Sequence, residues 1–320
     1  MTKKVLITGV TGFGGSHLAE FLLQKKEYKI LGTSYTKTHK ENTANIENSV
    51  AITRIDLSDA ASVVSLIDKE RPDYIYHLAA LASPGDSFQN PSETIANNIT
   101  AQVNILEAVK NAKLQSTAIL IVSSADVYGM VALENVPIDE NTPFMPINPY
   151  AVSKIAQDFL GLQYFLSYKL PIIRVRPFNH IGPRQSPHFV VASFAKRIAE
   201  IEKSKITGTL EVGDLTSVRD FTDVRDMVEA YELALIKGTP GDVYNIGSGK
   251  GYTINDILRK MISMSKVEIT IKQDVELFRP SDTPKRICNF AKFSKLTGWH
   301  PKTAIDKTLK DTLDYWRNIV

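Results

Sequence analysis

Cysteine, tryptophan and long apolar runs are all scarce in this chain of 320 residues. It has one cysteine, Cys288, and two tryptophans. A single cysteine excludes an internal disulfide framework and a zinc site built on several cysteines. No stretch approaches the roughly 20 apolar residues that a membrane-spanning helix needs, so we expect no membrane partner. The first residues enter a strand without an apolar signal segment, and we therefore expect a cytoplasmic protein.

A strong excess of charge of one sign is also missing. The chain has 38 lysines and arginines against 35 aspartates and glutamates, and its formal net charge is +3. This bias is too small to indicate nucleic acid as a partner, although a small anionic substrate remains compatible with it. With 43% hydrophobic and 23% charged residues, the chain can bury the core of one large domain and of a smaller lobe.

Short apolar runs alternate with helical patterns along the first half of the chain. This alternation predicts an α/β protein with a Rossmann-type, doubly wound parallel sheet. A segment rich in helix and strand breakers, 177–184, then ends the pattern. We expect a nucleotide-binding domain over 1–177, to which the chain returns around 222–245, and a smaller mixed α/β substrate lobe mainly over 178–320. The predicted strands lie near residues 5–7, 29–33, 51–55, 74–78, 119–122 and 172–176.

Three glycines mark the turn after the first predicted strand. Gly9, Gly12 and Gly15 separate that strand from an amphipathic helix, and Thr11 and Phe13 lie in the same turn. Glycines at such a turn let the backbone approach a pyrophosphate, and the helix N–H groups then point at its charge. The turn therefore predicts a cradle for the phosphates of a dinucleotide. A tight turn without a ligand is the alternative.

The end of the second predicted strand bears on the choice between NAD and NADP. A carboxylate there favours the free ribose 2′-hydroxyl of NAD, whereas cations and hydroxyl groups favour the 2′-phosphate of NADP. The segment 33–37 has no acid and offers Ser34 and Lys37. We expect NADP(H), with NAD(H) as the open alternative. Residues after the third and fourth strands either contact the adenine or line the cofactor, or serve as ordinary packing: Asp56, Leu57, Leu78, Ala79 and Ala80.

A tyrosine and a lysine one helical turn apart are the candidate proton-handling groups. If Tyr150 begins a helix, Lys154 lies on the same face. Its ammonium would then lower the phenol pKa from about 10 toward the working pH, which suits a general acid or base. Ser124, at the end of the fifth predicted strand, supplies a hydroxyl to hold the substrate oxygen. The tyrosine–lysine spacing is common by chance, and only its combination with Ser124 and the glycines indicates hydride transfer.

These residues give the chain a resemblance to a known family. The three glycines, Ser124 and the Tyr150/Lys154 pair are similar to those of extended short-chain dehydrogenase/reductases that act on nucleotide sugars. Within that family the chain most resembles GDP-4-keto-6-deoxy-D-mannose reductases, which make GDP-D-rhamnose, and GDP-mannose 4,6-dehydratases are the sibling group. The further segments that carry the resemblance, over nearly the whole chain, are 176–186, 194–198, 212–215, 219–226 and 244–249.

The resemblance implies a mechanism without a metal. A hydride from NADPH attacks the C4 ketone of the sugar, Tyr150 delivers the proton, and Ser124 hydrogen-bonds the developing alkoxide. Lys154 tunes Tyr150 and holds the nicotinamide ribose. For each arginine that the resemblance places at the substrate, a surface or interlobe ion pair is the alternative. The residues that it places against a GDP-sugar are Asn179, Arg184, Arg219 and Arg279.

One carboxylate separates reduction from dehydration. By the resemblance, dehydratases have a glutamate two residues after the strand-terminal hydroxyl, where it takes a proton from C5 of the sugar. This chain has Asp126 there, one methylene shorter, and a reach error of about 1 Å costs about a hundredfold in rate. Asp126 thus disfavours dehydration without deciding the question, and a 4-epimerase is a third alternative. A non-catalytic dinucleotide-sensing scaffold is disfavoured because Ser124, Tyr150 and Lys154 are all present.

Wide apolar faces on two predicted helices bear on assembly. The helices over 92–112 and 151–168 have more apolar residues than contact with one sheet covers. The family that the chain resembles pairs these helices in a four-helix interface. We therefore expect a homodimer.

Overall fold

A computed structural model of the protein describes residues 2–35, 40–204, 207–277 and 283–320. We number strands and helices in chain order. The large sheet consists of β1 (Lys3–Thr8), β2 (Tyr28–Ser34), β3 (Ala51–Arg54), β4 (Tyr74–His77), β5 (Ala118–Val122), β6 (Ile172–Pro177) and β10 (Val243–Ile246). Its seven strands are all parallel and follow the order β10-β6-β5-β4-β1-β2-β3. The predicted Rossmann-type sheet is confirmed.

Helices cover both faces of this sheet. On β1, Val5 and Ile7 point into one apolar core and Leu6 into the other, as expected for a strand buried on both faces. The first core contains α1 (Phe13–Gln24) and α8 (Val224–Lys237), and the second contains α3 (Ala60–Glu70), α5 (Pro91–Asn111) and α6 (Pro149–Tyr168). Two short helices, α2 (Lys40–Thr43) and α4 (Pro84–Gln89), lie in the connections.

The second half of the chain builds a smaller mixed α/β lobe. A four-stranded sheet has β9 (Val218–Asp223) at its centre, paired with β7 (Asn179–Ile181), β11 (Gly251–Thr253) and β13 (Lys285–Arg286). A two-stranded sheet pairs β8 (Gly208–Val212) with β12 (Ile269–Gln273). A separate apolar core joins these sheets to α7 (Val190–Ser204), α9 (Ile254–Ile262) and α11 (Ile305–Ile319). Helix α10 (Ala291–Thr297) packs against α8 and β10.

The two halves of the chain are interleaved at β10. This strand comes from the second half but pairs with β6, from Val243 opposite Arg174 to Ile246 opposite Pro177. Parallel strands all end at the same edge of their sheet, so the segments after β1, β2, β4 and β5 meet at one edge. Within the described ranges, no helix combines the length and the apolarity needed to cross a bilayer.

Candidate active site

The glycine turn after β1 bends tightly against the start of α1. Gly9 has φ +70°, in the left-handed region that glycine adopts without strain. A Cβ atom on Gly15 would overlap the carbonyl oxygen of Gly9. Gly12 precedes α1 and makes no side-chain cap, and the first turn contains no acid. The first N–H groups of α1 are therefore suited to an anion such as a diphosphate.

Several predicted cofactor residues surround this turn. Ala79 lies alongside it, since the Ala79 Cα is 3.0 Å from where a Cβ on Gly9 would stand, and the loop of Leu78 and Ala80 follows β4 directly. The phenyl ring of Phe13 stacks on His180 with centroids 5.7 Å apart. Phe13 thus joins the two lobes through its ring. The carbonyl oxygen of Thr11 accepts a hydrogen bond from Asn42 in the segment after β2.

The end of β2 carries a hydroxyl and lies beside a cation. Ser34 is buried there and stands opposite Arg54, the last residue of β3. The exposed Arg54 donates a hydrogen bond from Nε to the carbonyl oxygen of Tyr35 at 3.2 Å. Sequence reasoning missed Arg54, although a cation ending the neighbouring strand was a visible signal. The other predicted cation, Lys37, lies outside the described residues. A hydroxyl and a guanidinium at this position suit a 2′-phosphate.

Asp56 and Leu57 follow β3 toward the same edge. The exposed Asp56 accepts hydrogen bonds from the N–H and the hydroxyl of Ser58 at 2.8 and 2.7 Å. Leu57 is buried in the core that contains α3 and α5. These contacts hold the turn after β3 in place, and one oxygen of the Asp56 carboxylate makes no hydrogen bond within the described ranges.

Two residues fix the start of α6 and with it the positions of Tyr150 and Lys154. The Asn148 side chain accepts a hydrogen bond from the Ala151 N–H at 2.7 Å, and Pro149 occupies the first helical turn. Tyr150 therefore lies in the first turn and Lys154 one turn later, both buried. The Lys154 Nζ donates a hydrogen bond to the carbonyl oxygen of Val122 at 2.9 Å and lies 5.9 Å from the centre of the Tyr150 ring.

Burial dominates the electrostatics of this pair. It raises the pKa of Tyr150 above its usual value, the Asp126 carboxylate raises that pKa further, and a hydrogen bond with Ser124 opposes the shift. Burial also lowers the pKa of Lys154 to about 7. Lys154 is not among the groups that shift the Tyr150 pKa in this structure, and the tuning of the phenol by Lys154 in the presence of the nicotinamide stays a prediction. A phenol with a raised pKa holds its proton more firmly, and a general acid must carry the proton that it donates.

Ser124 and Asp126 occupy the turn after β5. Ser124 caps a short 3₁₀ helix, Ala125–Tyr128, and its hydroxyl accepts a hydrogen bond from the Asp126 N–H at 3.1 Å. The Asp126 carboxylate forms an ion pair with Arg286 of β13. Sequence reasoning did not consider Arg286, since nothing in the sequence indicated that β13 returns to this site. Ser124, Asp126, Tyr150 and Arg286 thus converge beyond the end of β5.

Asn98 of α5 is a second residue that sequence reasoning missed. It is fully buried, accepts a hydrogen bond from the Leu81 N–H at 2.8 Å, and donates one to the Ser153 hydroxyl at 2.9 Å. Asn98 therefore ties the loop after β4 to α6. The signal in the sequence was an amide in a helix whose other buried positions are mostly apolar.

Of the predicted substrate residues, Arg219 and Asn179 lie on the strands of the smaller lobe. Arg219 stands opposite Arg286 in the pairing of β9 with β13. Its Nη1 donates hydrogen bonds to the carbonyl oxygens of Val218 and Thr283 at 2.9 and 2.7 Å. Asn179 is exposed at the start of β7. Arg279 lies outside the described residues.

Arg184 has a different place from the predicted one. Its two terminal nitrogens contact the two carboxylate oxygens of Glu20 on α1, at 2.6 and 2.7 Å. This bidentate geometry uses the donors that would bind a phosphate. The structure shows the alternative, an ion pair between the lobes, and the role of Arg184 as a substrate ligand stays a prediction.

Known proteins match this chain over all the residues of the site. The family model for GDP-mannose 4,6 dehydratase matches residues 6–312. The chain is 34% identical to a GDP-6-deoxy-D-mannose reductase of Pseudomonas aeruginosa, over 100% of this chain and 99% of that protein. The structure of RMD from Pseudomonas aeruginosa complexed with NADPH is similar with a TM-score of 0.86 at 33% identity, over 100% of both chains. A Thermus thermophilus UDP-glucose 4-epimerase in complex with NAD has a TM-score of 0.86 at 30% identity, over 99% of this chain and 100% of that one. Since the matched residues span everything from Gly9 to Arg286, the chain belongs to the GDP-mannose 4,6-dehydratase family.

Proposed function

We propose that this protein uses NADPH to reduce the C4 ketone of GDP-4-keto-6-deoxy-D-mannose to GDP-D-rhamnose. The observation that carries the proposal is the buried Tyr150 side chain with the Ser124 hydroxyl and the Lys154 side chain beside it. Reduction of a ketone consumes a proton at the new hydroxyl, and the Tyr150 phenol is the group placed to supply it. Similarity to a Pseudomonas aeruginosa protein named as a GDP-6-deoxy-D-mannose reductase supports the choice of substrate.

The cradle fits NADP(H) as the cofactor. The glycines leave room for a backbone approach to the diphosphate, and Ser34 and Arg54 offer a hydroxyl and a cation to a 2′-phosphate. When bound, NADPH supplies the hydride. The relative solved with NADPH supports this choice. NAD(H), which the similar epimerase holds, is the alternative that the assay must include.

In the proposed reaction each residue of the site has its own task. Ser124 donates a hydrogen bond to the C4 oxygen, Tyr150 transfers its proton to that oxygen as charge develops, and Lys154 orients the nicotinamide ribose. Asn179 and Arg219 hold the sugar and the diphosphate from the side of the smaller lobe. The residues that line the cofactor are Gly9, Thr11, Gly12, Phe13, Gly15, Asp56, Leu57, Leu78, Ala79 and Ala80.

The state of Asp126 supports reduction over dehydration. A dehydratase needs a free base for a C–H proton of the sugar. Here the Asp126 carboxylate is paired with the guanidinium of Arg286, so it is not free to contact a C–H group of the sugar.

The test is NADPH oxidation by the purified protein, with GDP-4-keto-6-deoxy-D-mannose and GDP-D-mannose supplied separately and the sugar product identified by NMR. We expect oxidation with the keto sugar alone and formation of GDP-D-rhamnose. Conversion of GDP-D-mannose to the keto sugar without net NADPH consumption would instead assign the protein to dehydration. Parallel reactions with NADH decide the cofactor.

A homodimer through α5 and α6 is part of the same proposal. Val152, Phe159 and Leu166 of α6 are 44%, 51% and 56% exposed. Their seven-residue spacing aligns them along one side of the helix. An apolar stripe of this kind is typical of a surface that a partner covers. A cytoplasmic location fits the free, buried Cys288, which needs no oxidising compartment.

A further inference from the structure

An ion pair between a buried arginine and a partly exposed aspartate lies beside the proposed proton donor. Arg286 binds the Asp126 carboxylate through Nη1, and its Nη2 lies 3.3 Å from the hydroxyl of Thr283. Arg286 is 6% exposed, and its Nε has no hydrogen-bond partner among the described residues. Asp126 is therefore the main anchor of this guanidinium.

A hydrogen bond connects the two backbone segments that carry the ion pair. The Thr283 hydroxyl donates a hydrogen bond to the carbonyl oxygen of Gly129 at 2.8 Å. Gly129 directly follows the 3₁₀ helix that carries Asp126, and a Cβ atom on Gly129 would overlap the carbonyl oxygen of Met145. The segment before Arg286 and the turn that carries Asp126 are thus fixed to each other. This contact differs from a pairing of two mobile surface side chains, which contributes little.

A carboxylate at this position poses a chemical problem for a keto sugar. Hydrogens on the carbons next to a ketone are acidic. A free carboxylate within reach takes one as a proton, the C–H electron pair becomes a C=C bond to the carbonyl carbon, and the carbonyl oxygen accepts the Tyr150 proton to give an enol. The Asp126 carboxylate lies 3.5 Å from the Ser124 hydroxyl, which the proposed function places at the C4 oxygen. Enol formation would scramble stereochemistry at these carbons or divert the substrate from reduction.

We propose that Arg286 is a specificity-determining positioning residue, which holds Asp126 in an ion pair so that the carboxylate does not remove protons next to the C4 ketone. For the identity of the substrate, this inference rests on the proposed function. Because of this ion pair, the site transfers a hydride to the keto sugar without removing a proton from it, although Asp126 lies nearby.

The test is hydrogen exchange at the carbons next to the ketone. Arg286→Met is incubated with GDP-4-keto-6-deoxy-D-mannose in D₂O without NADPH, and loss of the C3 and C5 proton signals is followed by NMR. We expect exchange at least about tenfold faster than with the wild-type protein, because a positioned general base contributes about a hundredfold or more. Arg286→Gln, which is also uncharged and keeps a donor for Thr283, serves as a second variant if the methionine variant does not fold.

Two matched variants give the controls. Lys285→Met removes the neighbouring exposed charge on β13 and is expected to exchange like the wild-type protein. The double variant Asp126→Asn/Arg286→Met lacks the carboxylate and is expected to return to the wild-type exchange rate. Circular dichroism and NADPH binding establish that each variant is folded. Exchange by folded Arg286→Met or Arg286→Gln that is no faster than by Lys285→Met would overturn the inference, and so would fast exchange that persists in the double variant.

Failure of the proposed function has a different signature. The exchange assay needs neither NADPH nor reduction. In one outcome the wild-type protein oxidises no NADPH with the keto sugar, but replacing Arg286 still increases the rate of hydrogen exchange. The reductase proposal then fails, while the inference about Arg286 and Asp126 holds. If the wild-type protein reduces the keto sugar and no variant of Arg286 exchanges, only the inference fails.

Discussion

Lys154 donates a hydrogen bond from Nζ to the carbonyl oxygen of Val122 at 2.9 Å while its side chain is buried. One carbonyl oxygen replaces only part of the hydration of an ammonium, and burial lowers the Lys154 pKa from 10.5 to about 7. Between these two pKa values the unfolded chain binds more protons than the folded chain, so the stability contribution of this group rises with pH across that window. An anion bound beside Lys154 would raise its pKa again.

Binding of NADPH is therefore expected to take up a proton through Lys154. At about pH 8, above the folded pKa of about 7, most of the lysine is neutral, and the phosphates and ribose hydroxyls of the cofactor favour the ammonium. Calorimetric titration in two buffers of different ionisation enthalpy measures this uptake. Lys154→Met should abolish it, and an uptake that is the same in Lys154→Met would assign the proton to another group.

Replacing Tyr150 with phenylalanine is expected to remove the general acid while leaving the cofactor site intact. The turnover rate should fall by about 10² to 10⁴, with the Kd for NADPH changed by less than about threefold, since the ring keeps its packing. Steady-state kinetics and calorimetry check the two quantities. Tyr168→Phe, an exposed hydroxyl at the other end of α6, is the control and should behave like the wild-type protein. A Tyr150→Phe variant that retains full turnover would exclude the phenol as the acid.

Arg54 is expected to set the preference for NADPH over NADH. Arg54→Gln removes a cation from the end of β3, and one charge-assisted hydrogen bond contributes about 1.5 to 3 kcal/mol. The KM for NADPH should rise at least about tenfold, with the KM for NADH nearly unchanged. Lys29→Gln, an exposed cation near the opposite end of β2, should change neither value. Equal losses with both cofactors would mean that Arg54 acts on the fold and not on the 2′-phosphate.

Two neighbouring glycines of α1 should respond differently to a methyl group. A Cβ atom at Gly15 would overlap the Gly9 carbonyl oxygen, whereas one at Gly14 would lie 3.4 Å from the Leu78 side chain, an ordinary contact. Gly15→Ala is expected to cost about 1 to 3 kcal/mol of unfolding free energy and to weaken NADPH binding. Gly14→Ala should be far milder, because alanine also favours the helix. Thermal unfolding with and without NADPH compares the two, and equal losses would contradict the predicted close packing of the cradle.

A charge in the apolar stripe of α6 should separate the proposed dimer. Phe159→Arg places a cation at a position that is 51% exposed in the single chain, and burying it in an interface without a partner would be costly. Sedimentation at micromolar concentration should show a dimer for the wild-type protein and a monomer for the variant. Ile236→Arg, at a similarly exposed apolar position on α8, should remain dimeric. A monomeric wild-type protein would refute the assembly.

Much of the cofactor side of the site follows from local sequence features. A few adjacent residues determine the glycine turn, each apolar strand and the start of α6 at Pro149. Parallel strand pairing then brings Ser124 and Tyr150 to one edge of the sheet. Arg286 could not be predicted in this way, because β13 has two residues and its place depends on pairing with the distant β9. Long-range contacts likewise decide the partner of Arg184 and the pKa of Lys154. Burial and partner choice are properties of the folded chain.

Strand β10 is synthesised well after β6, its neighbour in the large sheet. A ribosome produces β6 well before Val243–Ile246, and until then the outer edge of β6 has free N–H and C=O groups. Such an edge is a template for adding strands from other chains. We therefore expect the nascent protein to need chaperone protection until most of its second half has been made, and fragments that end between β6 and β10 to aggregate.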